Sequence, residues 1–103
     1  MEQKDLESVM SIIIHSGNAK SSGVEAIQEA KMKNFDLAEE KLNEANQEIN
    51  KAHNAQTKLL SLEANGEFPI VSLLVVHSQD HLMTTMTFLE MAREFVGLYK
   101  TIG

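Results

Sequence analysis

Cysteine and tryptophan are missing from this 103-residue chain. Without cysteine there is no disulfide and no thiolate metal site, and six methionines with an all-reduced chemistry suit a cytoplasm. Proline occurs once and aromatic residues make up only 5% of the chain, so loop punctuation and sheet formers are both scarce. That balance favours helices. Basic residues are few as well: nine against 15 acids, a net charge of −6. Residues 34–67 hold seven acids and three bases, which gives −4 for that stretch alone. Such a surface repels phosphate backbones, and no basic run along the sequence supports nucleic-acid binding. A partner of the acidic middle would be basic. The start, Met1-Glu2-Gln3-Lys4-Asp5, has neither the basic region nor the apolar run of a signal peptide.

The hydrophobic content of 43% is that of a folded protein, and the length is that of one domain spanning residues 1–103. Residues 68–89 are long enough for a membrane span. Ser72, His77, Ser78, Gln79, Asp80, His81, Thr84 and Thr85 interrupt it, so the chain is expected to be soluble.

Three long helical segments account for nearly all of the sequence. The first is expected from about Asp5 to Lys33, with apolar residues at Leu6, Val9, Met10, Ile13, Val24, Ile27 and Ala30. Its weak point is Ser16-Gly17-Asn18-Ala19-Lys20-Ser21-Ser22-Gly23, where each glycine lowers helix propensity by about 1 kcal/mol relative to alanine. The apolar spacing resumes in phase after Gly23, so the helix is read as continuous, with small residues that let a neighbour approach closely.

In the second segment Asp36-Leu37-Ala38-Glu39 has the form of a capping box. Ala38, Leu42, Ala45, Ile49, Ala52, Gln56 and Leu59 then alternate spacings of four and three, the seam of a bundle helix. Asn65-Gly66 ends it. The third helix is expected to begin near Pro69 and run to about Tyr99, with Gly97 as a point of early fraying. Short connections around Asn34-Phe35 and Asn65–Phe68 make the helices antiparallel neighbours in an up-down-up three-helix bundle, an all-α fold.

The stretch Val75-Val76-His77-Ser78-Gln79-Asp80-His81-Leu82-Met83 is the most informative. From Phe68 to Leu89 the only formal charge is Asp80. Positions i, i+3 and i+4 of a helix share a face, so His77, Asp80 and His81 project together. Ile70, Leu73, Thr84, Phe88, Met91 and Phe95 continue that face, and a polar island interrupts a mostly apolar stripe. Burying a carboxylate and two imidazoles is costly unless each has a partner, a metal or a chemical role. A second apolar face, Val75, Leu82, Met86, Leu89 and Val96, makes the helix apolar around much of its circumference. A lone bundle needs one buried stripe per helix, and the surplus points to self-association through helix three.

A neutral imidazole at His77 can act as nucleophile, base or metal ligand. If helix three lies near an oligomer axis, copies of Asp80 converge, and an all-oxygen site suits magnesium or another hard divalent ion. Within one chain His77, Asp80 and His81 form a zinc-like ligand set instead, and a helical scaffold without chemistry is a third reading. His81 is a donor that fixes orientation or binds phosphate, or merely packs. His15 follows an isoleucine run and is placed in a cleft beside helix three, whereas His53 lies in a polar run and is read as solvated. No serine nucleophile elbow, phosphate-binding glycine loop or paired-glutamate constellation occurs.

The run Val76-His77-Ser78-Gln79-Asp80-His81-Leu82-Met83-Thr84 closely resembles the active-site helix of the lactose/cellobiose-specific IIA components of the bacterial phosphoenolpyruvate-dependent sugar phosphotransferase system. Ile14-His15-Ser16-Gly17-Asn18-Ala19-Lys20-Ser21 resembles that family's first helix, and the likeness spans essentially the whole chain. Ser78 stands where alanine is common in the family. The resemblance implies that His77 is phosphorylated on Nε2, accepts its phosphoryl group from the phosphocarrier HPr and passes it to a cysteine of a IIB component. It also implies a cytoplasmic homotrimer assembled through helix three, with Asp80 of each subunit sharing one metal ion, expected to be Mg2+. Gln79 and His81 would flank the pocket, with His15 nearby. The sugar itself would be read by a membrane component.

Overall fold

In a computed structural model, which describes residues 1–67 and 71–103, the chain forms three helices: α1 (Gln3–Lys31), α2 (Phe35–Ala64) and α3 (Leu73–Ile102). Among the described residues there is no strand, and no helix is long and apolar enough to cross a membrane. The bundle is 52 Å long and 19 by 17 Å across, as expected for packed helices of thirty residues rising about 1.5 Å each. Gly17 lies against His81 and Gly23 against Phe88 and Leu89, so α1 and α3 run parallel with a constant offset. Ion pairs from Lys41 to Glu25 and from His15 to Glu48 set α2 antiparallel to α1.

Each helix buries one seam with alternating spacings of three and four. On α2 it is Ala38, Leu42, Ala45, Ile49, Ala52, Gln56 and Leu59, the residues its periodicity predicts, joined by Ala55. On α1 the seam runs through Val9, Ile12, Ser16, Ala19, Gly23, Ala26 and Ala30. Val9 and Ala30 are as expected, while Met10 and Val24 turn outward. The small-residue stretch is thus continuous helix and is itself the packing surface. A β-carbon on Gly23 would sit 2.7 Å from Leu89 Cδ2 and 2.9 Å from Phe88 Cε2, closer than real contacts allow. A methyl group at that position would force the Leu89 and Phe88 side chains to shift.

The helix ends differ from expectation in instructive ways. α1 ends two residues early, with Lys33 at φ 65° and backbone bonds from Lys33 N to Ala30 O and from Asn34 N to Glu29 O. This is a Schellman motif with lysine, not glycine, in the left-handed position. The turn leaves Asn34 to begin α2: its carbonyl accepts from Ala38 N, and its side chain donates to Glu29. Asp36 is therefore not the cap and makes no capping box; it lies in the first turn, where its charge meets the positive end of the helix. α2 ends at Asn65-Gly66 as predicted, with Gly66 at φ 73° and Glu67 N bonded to Leu62 O. The expected start of α3 at Pro69 and the stripe residue Ile70 lie outside the described residues. The described helix starts at Leu73, capped by Ser72, whose hydroxyl accepts from Val75 N at 3.2 Å. It runs through Gly97 to Ile102, past the expected end at Tyr99.

α3 buries Ser78, Leu82, Thr85, Leu89, Ala92 and Val96. That is the face expected as its second one. The stripe carrying His77 is the exposed face of this chain, with Leu73 at 86%, Met91 at 52% and Phe95 at 45% of full exposure.

Candidate functional site

The Ser72 cap starts α3 in a register that divides its polar residues between two sides. Ser78 is fully buried and donates to Val75 O at 2.6 Å. Gln79 accepts a 2.7 Å hydrogen bond from Gln56 Nε2 on α2. The side facing away from the bundle carries His77 and Asp80, whose side chains are 57% and 63% exposed. Their cost of burial is therefore not incurred within a single chain, contrary to the expectation of a buried carboxylate.

The two groups are close. His77 Nδ1 lies 3.4 Å from Asp80 Oδ1, one helical turn away. The His81 ring stacks on His77 with centroids 5.7 Å apart and planes 14° from parallel. His81 is half-buried because it rests against α1 where Gly17 has no side chain: a β-carbon there would stand 3.7 Å from His81 Nε2. Thr84 turns its hydroxyl back onto the helix, bonding to Asp80 O at 2.8 Å. Exposed Val76 and Met83 flank the group.

The structure thus brings His77, Asp80 and His81 onto one surface, as their spacing predicts. Gln79 is turned toward α2 and tied there. His15 is not beside α3: its Nδ1 lies 2.7 Å from Glu48 Oε2 on α2, and Asn18 donates to the other oxygen of the same carboxylate. Burial works against ionisation of Glu48, but the hydrogen bonds from His15 and Asn18 and the nearby Lys51 ammonium outweigh it and hold the carboxyl below its ordinary value of 4.5. Nothing local in the sequence marks Glu48 as a partner of His15. Only the antiparallel register of α1 and α2 does so.

Among the described residues no three histidine, aspartate or glutamate side chains gather where one ion could be held. The single-chain zinc reading has no support in this arrangement. Asp80 is the one carboxylate of this polar island, so an oxygen-liganded site centred on it would need ligands from outside the island.

The chain that bears this exposed imidazole and carboxylate is similar to known proteins over nearly its full length. The model of the family "PTS system, Lactose/Cellobiose specific IIA subunit" matches residues 7–100. The chain belongs to this family. It is 44% identical over 102 residues to the lichenan-specific phosphotransferase enzyme IIA component of Bacillus subtilis, covering 99% of this chain and 93% of that one. It is 48% identical over 89 residues to the cellobiose-specific EIIA component of Lactococcus lactis, covering 86% and 77%. The crystal structure of the cellobiose-specific enzyme IIA from Bacillus anthracis superposes with a TM-score of 0.93 at 41% identity over 99% of this chain and 94% of that one. A solution structure of the Escherichia coli chitobiose IIA in complex with HPr superposes with a TM-score of 0.84 at 36% identity, covering 99% and 98%. This IIA chain is therefore a component of a sugar phosphotransferase system with the family's three-helix fold.

Proposed function

We propose that the chain is a phosphohistidine carrier in which His77 Nε2 accepts a phosphoryl group from HPr and yields it to a cysteine of a IIB component. The observation that carries this reading is the outward-facing His77 imidazole with Asp80 beside Nδ1. A proton held on Nδ1 toward the carboxylate leaves the Nε2 lone pair available. That lone pair attacks phosphorus as the donor's N–P bond breaks, and the imidazolium formed is balanced by Asp80. In the second step the IIB thiolate attacks the same phosphorus and the His77 N–P bond breaks, returning the lone pair to Nε2. Phosphoryl transfer needs positioning and charge balance more than covalent assistance, and stacked His81 adds a donor on the same surface. Support for HPr as donor comes from the chitobiose IIA relative, whose complex with HPr has been solved. The transported sugar is of the cellobiose and lactose class, since the relatives are named for lichenan, cellobiose, lactose and chitobiose.

The exposed apolar stripe of α3 supports self-association about this helix; in the trimer that the family resemblance implies, three Asp80 carboxylates would hold one hard divalent ion such as Mg2+. The ion would offset convergent negative charge and take no part in the transfer.

Intact-mass spectrometry after incubation with phosphoenolpyruvate, enzyme I and HPr tests the carrier role. Wild type is expected to gain one acid-labile phosphoryl group and His77→Ala none. Full labelling of the alanine variant would sink the reading.

A further inference from the structure

α3 is apolar around more of its circumference than it buries. Ser78, Leu82, Thr85, Leu89, Ala92 and Val96, its buried residues, lie within about 40° of one line along the helix. Tyr99, Phe88 and Phe95 lie about 60–100° from that line on the side of α1, and His77 lies about 100° from it on the same side. Tyr99 and Phe88 are partly buried and Phe95 is exposed. Turning α3 by about 60° would bury these aromatic rings in place of Leu82 and Leu89 and carry His77 into the contact with α1. Asp80 would stay outside, so its charge does not choose between the two rotations. The hydrophobic effect, being non-directional, chooses weakly as well.

Polar side chains do choose. Among the described residues three side-chain bonds join α2 to α3. Gln56 Nε2 donates to Gln79 Oε1 at 2.7 Å, Arg93 donates to Asn46 Oδ1 at 3.3 Å, and Lys100 pairs with Glu39. Gln79, Arg93 and Lys100 follow one another at multiples of seven and so form one edge of α3. The last two ties lie in water. The first does not: Gln56 is the one polar residue among those that α2 buries. Gln79 Nε2 also reaches Ser78 Oγ at 3.4 Å, and Ser78 donates to Val75 O. The tie thus runs into the turn that bears His77. Two residues along a helix span about 200°, so fastening Gln79 to α2 aims His77 away from it.

We propose that Gln56 is a positioning residue for His77: through Gln79 it fixes the rotation of α3 and keeps the imidazole outward. A buried amide pair adds little stability over an apolar pair of similar shape, but it is broken in any other rotation. A single buried asparagine sets the register of a coiled coil in the same way. The consequence for phosphoryl transfer rests on the carrier reading; the orientation of α3 does not.

Two substitutions on α2, remote from His77, test this. Gln56→Leu keeps the seam apolar and leaves the amide of half-buried Gln79 to water. Gln56→Glu keeps the tie, since a glutamate accepts from the Gln79 amide when ionised and donates to its carbonyl when protonated. Orientation is read by NMR from the proximity of Gly17 to the His81 ring and of Gly23 to the Leu89 methyls, both close in the fold. For Gln56→Leu the urea midpoint is expected at or above that of wild type. Its α1–α3 proximities should nonetheless weaken or split into two sets, and single-turnover phosphorylation by phospho-HPr should slow about tenfold. Gln56→Glu should restore both. The proposal is overturned if the leucine variant keeps one set of proximities, if its rate falls with the proximities intact, or if rate and midpoint fall together as for ordinary packing. A wild type that HPr does not label would overturn the carrier reading instead, and the proximities would still decide the role of Gln56 in orientation.

Discussion

Three glycines in helices show how one missing β-carbon has a different consequence at each place. At Gly23 a methyl group meets Phe88 and Leu89 well inside contact distance, at Gly17 it meets His81 at an ordinary 3.7 Å, and at Gly97 it meets nothing within 4 Å. Alanine at Gly17 or Gly97 gains helix propensity and should stabilise the fold by about 0.5–1 kcal/mol. At Gly23 overpacking of about 1–3 kcal/mol outweighs that gain, and the melting temperature should fall. Thermal unfolding of the three variants, followed by far-ultraviolet circular dichroism, should rank Gly23→Ala alone below wild type. Glu48 offers a second test. Its pKa is depressed in the folded chain, so its contribution is present above pH 4.5 and fades as pH falls through the lower folded value. Glu48→Gln should lose about 1 kcal/mol or less at neutral pH and nothing in strong acid. An equal loss at both would place the effect in packing and not in charge.

Among the helices, α2 was legible from sequence because its seam is made of residues that hydrophobicity recognises at regular spacing. The seam of α1 was legible only in part: its small-residue stretch reads as a place of close approach, but Ser16, Ala19 and Gly23 are buried because they are small and give no strong hydrophobic stripe to fix the rest of the face. The larger Met10 and Val24 lie one position off the seam and face outward. The expected cap at Asp36 failed for a local reason: a Schellman turn at the end of α1 hands the chain to α2 at Asn34, two residues earlier. His77, Asp80 and His81 were placed correctly because a single helix determines their common face. His15 was misplaced because its orientation depends on the pairing of two helices. The α1–α2 turn also stores strain, with Lys33 in the left-handed region at φ 65°. Relieving it with Lys33→Gly should stabilise the protein by about 0.5–1 kcal/mol, the left-handed penalty less the added entropy of an unfolded glycine. Chemical denaturation should show a higher midpoint at an unchanged slope.

At the scale of the whole molecule, α3 buries one apolar face against α1 and α2 and leaves another in water. Leu73, Val76, Met83, Met91, Phe95, Leu98 and Ile102 are all exposed along one length of helix, interrupted by His77 and Asp80. A row of this size on a free chain marks an interaction surface. Assembly about α3 would cover it and bring the Asp80 carboxylates together. Two substitutions separate the apolar from the ionic part of that arrangement. Phe95→Glu puts a charge into the apolar row without touching the island, and should shift the chain toward monomer in sedimentation equilibrium. Asp80→Leu removes convergent charge and extends the apolar surface; because pairing or coordinating buried charge seldom repays its desolvation in full, assembly should be kept or strengthened. The leucine variant should also lose any magnesium dependence of assembly. If it falls to monomers, the carboxylate is itself the bond between chains, and the apolar stripe alone is too weak to hold them.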